Sequence, residues 1–288
     1  MRITVIIVLC FTVCFSAKAQ ANDTEAALYN IGFGAIFSTV GAIINKPKEE
    51  PLGKVIKKSL WQGALGGYLT FESKRMLREA QRQEQWEYFW AAKLVNAAGT
   101  SIKENAALNT NFYDRWHLNI GFSRIEFITK DEFSVKYRLM PVAFTYTIGI
   151  ALQTKFELNK TLKTGDFIFS SSTVRFEETN SRGIALPGNI VLYTPEKDDF
   201  KLLSHEIIHL YQSNDFQIFN TYLNKPIQRW AKNNKTIKWL DKHIYPEFHY
   251  LIQRSVYRLE HESIESGLYY NNFLEREAGY YSNTLWTD

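Results

Sequence analysis

Apolar and polar positions divide the chain near residue 114. Ala26 to Ile44 runs 19 residues without a charge, broken only by small or polar residues such as Gly32, Gly34, Ser38 and Gly41. Lys46 to Pro51 is a polar turn bracketed by prolines, and a second apolar helix follows from about Leu52 to Arg75. Gly63 and Gly67 lie four apart in it, a spacing that lets two helices approach closely, so residues 26–72 predict a tightly packed helical hairpin. Helical spacing continues to about Ala106, with Trp86, Phe89, Trp90, Leu94 and Val95 as its core face. Beyond Asp114 the texture changes. Leu118 to Thr129 and Phe133 to Arg138 alternate apolar and polar residues. Phe144 to Phe156 and Asp166 to Phe176 are aromatic and β-branched, and Gly188 to Tyr193 closes the series. About four to six antiparallel strands are expected here.

Helical texture returns after Thr194-Pro195, a cap and first-turn pair. The expected helices cover Glu196–Ser213, Ile218–Lys242, Tyr245–Tyr269 and a short one within Asn271–Asn283. The class is therefore α+β: helices over 20–114, an antiparallel β-region over 115–194 and helices over 195–288. Residues 115–288 are expected to form one catalytic unit.

The helix expected at Glu196–Ser213 carries the one motif with a definite chemistry, His205-Glu206-Ile207-Ile208-His209. Residues four apart share a helix face, so both imidazoles point at one place. Glu206 lies about one residue's rotation away, where it can take a proton from water without ligating a metal. H-E-x-x-H on a helix is the arrangement of zinc hydrolases, with the two histidines as ligands and the glutamate as general base. Only six histidines occur in all 288 residues, which makes the pairing informative.

Composition adds a location and removes one class of partner. The net charge is +4 with no Lys/Arg block, so nucleic acid is not an expected partner. Arg2, the apolar run Ile3–Phe15 and Ala17-Lys18-Ala19 read as a secretory leader over 1–19. Both cysteines, Cys10 and Cys14, fall inside it, so the exported chain is expected to lack disulfides. A periplasmic, envelope-associated or extracellular location follows. Residues 26–72 are also apolar enough to raise membrane association as an alternative to packing on the body of the protein.

Zinc needs a third protein ligand. Asp215, six residues after His209, is one candidate, although Gln212 stands where a sharp turn toward the metal calls for glycine. The other lies near the C-terminus. Leu274-Glu275-Arg276-Glu277-Ala278-Gly279 resembles the E-x-E-A segment that follows H-E-x-x-H in gluzincin-type families of zincin metallopeptidases. That resemblance covers roughly the motif helix and the last helix. It implies a zinc-dependent peptidase acting on peptide or protein substrates, with Glu277 as third ligand and Glu275 as the fallback. His243, His249 and His261 are further candidates for ligand or transition-state donor, and Tyr280 and Tyr281 for oxyanion donor. Gly183 to Gly188 is a candidate lining of the substrate cleft. An edge at Ile190–Tyr193 would bind a peptide by strand addition, as the resemblance implies. The rival expectation is a non-catalytic envelope protein that keeps a zincin-like fold for binding or assembly.

Overall fold

The computed structural model describes residues 22–172, 182–263 and 272–285; the expected leader lies outside them. The fold is α+β. Asn22 opens it, its side-chain oxygen accepting the Glu25 amide, and α1 runs over Asp23–Asn45. Two more long helices follow, α2 over Leu52–Gln83 and α3 over Glu87–Ala107. The glycines do what their spacing predicts. A Cβ at Gly34 would run into the Gly63 carbonyl, and one at Gly67 into the Asn30 carbonyl, so the α1–α2 crossing admits no side chain there. By length and composition α1 could cross a membrane, yet half of its apolar window is buried within the protein.

Strands β1 (Arg115–Ile120), β2 (Ser123–Ile128) and β3 (Ser134–Leu139) form an antiparallel sheet in that order. Its register pairs Trp116 with Phe127, and Phe127 with Val135, on one face. That face, with Leu118, Ile125 and Tyr137, looks toward solvent; Val135 and Tyr137 are exposed. The opposite face carries His117, Arg124, Glu126 and Arg138, all buried, against α3. The usual polarity of a half-buried sheet is reversed because α3 presents Glu104 to these charges.

Phe144–Phe156, expected as a strand, is mostly helix: α4 covers Pro141–Ala151. Pro141 sets the first-turn φ, and the Glu247 carboxylate accepts the Val142 amide at 2.6 Å, giving the helix start an anion. Only Lys155–Phe156 is extended, as β4. Then come α5 (Leu158–Thr164), β5 (Phe167–Ser171), β6 (Gly183–Leu186) and β7 (Asn189–Tyr193). The stretch of the expected strand beyond Ser172 lies outside the described residues. This second sheet has the order β4-β5-β7-β6, and β5 runs parallel to β7, so it is mixed rather than antiparallel. Ile190–Tyr193 is interior to it and is no edge. Among the described residues the outer strands are β4 and β6.

The motif helix α6 runs over Phe200–Phe216 and starts later than expected, because Asp199 rather than Thr194 caps it. Thr194–Glu196 forms a 3-10 turn instead. After a 3-10 stretch at Gln217–Leu223 come α7 (Asn224–Asn233), α8 (Lys235–His243), α9 (His249–Ser263) and α10 (Phe273–Ser282). The single helix expected at Ile218–Lys242 is therefore broken, with Asn234 ending α7 and capping α8. α6 lies at the centre of the molecule. Its Leu203, Ile207, Ile208 and Tyr211 pack against Phe71, Leu77 and Phe89 of the long helices, Ile190 and Leu192 of β7, and Ala278 and Tyr281 of α10. Each fully buried aliphatic side chain contributes about 1.5–3 kcal/mol, so α6 is held rigidly from several sides.

Candidate metal centre

α6 presents His205 and His209 from one face, one helical turn apart, and their Nε2 atoms lie 3.2 Å from each other. α10 crosses α6 and places Glu275 opposite them. Glu275 Oε2 is 3.2 Å from His209 Nε2 and 3.4 Å from His205 Nε2. Three ligand atoms thus form a nearly equilateral triangle. Tetrahedral ligands about 2.0–2.1 Å from zinc stand about 3.3 Å apart, so the donor set fits such an ion without rearrangement. The chemistry suits zinc as well, since two imidazoles and one carboxylate leave a fourth position open.

The orientation of each ligand is set by the atoms behind it. Gln212, one turn beyond His209, donates from Nε2 to the Leu274 carbonyl at 2.8 Å and to Glu277 Oε2 at 2.9 Å. Both of those partners are acceptors, so the Gln212 oxygen faces the other way. It lies 2.8 Å from His209 Nδ1, which therefore carries a proton and leaves Nε2 as the nitrogen that faces Glu275. Ser282 Oγ donates to the Ala278 carbonyl at 2.7 Å and lies 3.3 Å from His205 Nδ1, which makes it the acceptor for a proton there. Tyr257 on α9 donates to Glu275 Oε1 at 3.2 Å, so one carboxylate oxygen is held by a hydroxyl while the other faces the histidines.

Glu206 is buried beside this triangle. Burial raises its carboxyl above the ordinary range and Glu275 adds to that, while His205, His209 and the Ala185 amide of β6 work against it. A raised carboxyl suits a residue that must both accept and return a proton near neutrality. Burial opposes a charge on His209, but the Glu275 carboxylate, with Glu206 and Gln212, pushes its pKa up to about 9. The pocket accordingly favours a cation. Gly183 of β6 is pressed against Glu206: a Cβ there would come within 2.7 Å of Glu206 Oε1.

The expected residues divide clearly. The structure brings together His205, His209, Glu206 and the fallback Glu275. It does not bring in Glu277, whose Oε1 lies 2.9 Å from Lys74 Nζ, buried under α6. Asp215 is also elsewhere, 2.9 Å from Lys74 and paired with Lys103. These four charges balance one another and tie α2, α3, α6 and α10. Residues two apart on a helix point about 200° apart, so only one of Glu275 and Glu277 can face the histidines. His249 is buried against Asn220, and burial pushes its pKa down to about 3. His243 stacks on Trp239, and the His261 side chain lies outside the described residues. Tyr280 donates to Asp23 at 2.6 Å and Tyr281 is core, so neither is placed as an oxyanion donor.

Sequence reasoning missed Gln212, Ser282, Tyr257 and Lys74. Gln212 was readable as an i+3 neighbour of His209 on the same helix face. The others come from distant elements and carry no local signal. No family model, curated protein or solved structure matches the chain.

Proposed function

We propose that the chain is an exported zinc-dependent peptidase with a zincin-like active region, in which His205, His209 and Glu275 hold the metal and Glu206 is the general base. The single observation that carries this reading is the triangle of ligand atoms at 3.2, 3.2 and 3.4 Å with Glu206 buried beside it. A zinc ion held there supplies Lewis acidity toward a peptide carbonyl and toward water. Glu206 takes the proton from the attacking water and returns it to the leaving amine. Its raised pKa suits both transfers. The outer strand β6 borders the site, since its Ala185 amide reaches Glu206, and an extended peptide paired along that edge would lie across the ligands.

The test is metal content and peptide hydrolysis of the chain beginning at Gln20. Near-stoichiometric zinc, loss of zinc in Glu275→Ala and a zinc site retained in Glu277→Gln, at reduced affinity at most, are the expected results. Zinc retained in Glu275→Ala but lost in Glu277→Gln would reverse the ligand assignment. A zinc-loaded protein that cleaves no peptide in a broad library would favour the rival reading of a binding protein. The solvent-facing apolar face of β1–β3 is the feature that speaks for that rival.

A further inference from the structure

The Lys74–Glu277 pair lies behind the metal-ligand triangle rather than in it, and it is connected to the triangle by one side chain. Lys74 Nζ donates to Glu277 Oε1 at 2.9 Å. The other oxygen of that carboxylate, Oε2, accepts Gln212 Nε2 at 2.9 Å, and Gln212 Oε1 stands 2.8 Å from His209 Nδ1. Gln212 Nε2 also donates to the Leu274 carbonyl, in the residue before Glu275. One amide therefore grips both ligand-bearing helices. We infer that Lys74, Glu277 and Gln212 form a positioning relay that holds the proton of His209 on Nδ1 and so keeps its Nε2 turned, bare, toward the metal.

The direction of every bond follows from donor and acceptor inventory. Lys74 has only donors, so Glu277 Oε1 must accept. Glu277 as a carboxylate has only acceptors, so Gln212 must present its amide nitrogen to it. A flipped Gln212 would set its oxygen against the Leu274 carbonyl and the Glu277 carboxylate at once, three oxygens in a buried place. Lys74 is completely buried and takes two further acceptors, Asn30 Oδ1 and Asp215 Oδ2, both at 2.9 Å. The relay is thus anchored in α1 and α2, helices that contribute no ligand. Groups that orient a ligating histidine commonly change metal affinity 10- to 100-fold when removed. Glu277, on this account, is a positioning residue acting through Gln212.

This inference rests on the metal-site reading, and its test separates the two. Zinc affinity is measured by competition with a chromophoric chelator for the wild type, Gln212→Met, Gln212→Glu, Glu277→Gln and the double variant Gln212→Glu/Glu277→Gln. In the double variant the carboxylate and the amide exchange places. Residue 212 still accepts from His209, the amide nitrogen at 277 donates to it, and the amide oxygen at 277 still receives Lys74. The donation to Leu274 is lost, and a carboxylate oxygen now faces that carbonyl, so recovery is partial. The expected result is a 10- to 100-fold loss of zinc affinity in Gln212→Met and in each charge-altering single variant, with the double binding more tightly than the sum of the two single losses requires. A second measurement needs no variant. In zinc-loaded wild type labelled with 15N-histidine, the His209 Nδ1–H should give a signal protected from solvent exchange. A wild type that binds no zinc overturns both readings. Zinc binding with a freely exchanging Nδ1–H, with unchanged affinity in Gln212→Met, or with additive effects at 212 and 277 overturns the relay alone.

Discussion

Two clusters of buried ionisable groups lie at similar depth in this protein, and they are built on opposite plans. Under the β1–β3 sheet, Arg124 sits 2.6 Å from Glu104 and 2.8 Å from Glu126, and its guanidinium stacks 4.0 Å over Tyr245. Although burial opposes charging, these neighbours raise the pKa of Arg124 and lower those of both glutamates, so every member keeps its ordinary charge. Cation faces anion, and the cluster is complete within the chain. At His205, His209 and Glu275 the potential ligand atoms converge on one point, with His209 driven up to about 9 and Glu206 raised by burial. Burial of charge is thus no mark of a site. The mark is a set of buried groups whose lone pairs converge on one point and pull their neighbours' titration away from the ordinary range.

Substitutions at the two clusters should separate them. The largest effect is expected from Glu206→Gln, which removes the proposed base and leaves the proposed ligands. Peptide hydrolysis should fall roughly 10²- to 10⁴-fold with zinc affinity nearly unchanged, measured by initial rates and chelator competition. Equal loss of zinc would make Glu206 a ligand instead.

Arg124→Met should destabilise the fold by about 3–5 kcal/mol, because it leaves Glu104 and Glu126 without their main buried cation. Urea unfolding measures this. Little change would mean that the sheet cluster tolerates uncompensated charge, which erases the contrast. Glu275→Ala is the matching cut at the other cluster. It should abolish tight zinc binding, and above about pH 9, where His209 has lost its proton, leave the metal-free stability close to that of the wild type.

A pH titration sharpens the comparison further. In the metal-free protein the folded state binds the His209 proton more tightly than the unfolded chain, with a pKa of about 9 against an ordinary 6.5. That contribution is full below pH 6.5 and is lost as the pH rises through about 9. It amounts to about 3 kcal/mol at most. The loss should be visible in urea unfolding at pH 6 and pH 9.5 and smaller in His209→Gln, where the raised carboxyl of Glu247 still contributes, whereas Arg124, Glu104 and Glu126 add no such slope in this window. The smallest effect is expected from Gly183→Ala, whose Cβ would press on Glu206 Oε1. Hydrolysis should drop about tenfold without loss of zinc, since the base moves and the ligands do not.

Much of this was legible along the chain because it depends on neighbours in sequence. The helical hairpin followed from Gly34, Gly63 and Gly67, and the alternation in β1–β3 from Leu118–Arg138. Phe144–Phe156 misled, since its β-branched and aromatic residues favour strand while Pro141 and the distant Glu247 start a helix there. Which side of β1–β3 faces inward was not legible at all. The alternation gives two faces, and the buried one turned out to be charged only because α3 brings Glu104 to it.

The same division holds at the metal centre. His205, Glu206 and His209 belong to a single helical turn, so their spacing alone determined that two imidazoles and a carboxylate would share one neighbourhood. Glu275 and Glu277 lie on one helix too, but which of them faces the motif depends on how that helix rolls against α6. Tertiary structure decided it. Lys74, two hundred residues away in sequence and buried among acceptors, draws Glu277 inward, and the roll that satisfies this pair turns Glu275 to the histidines.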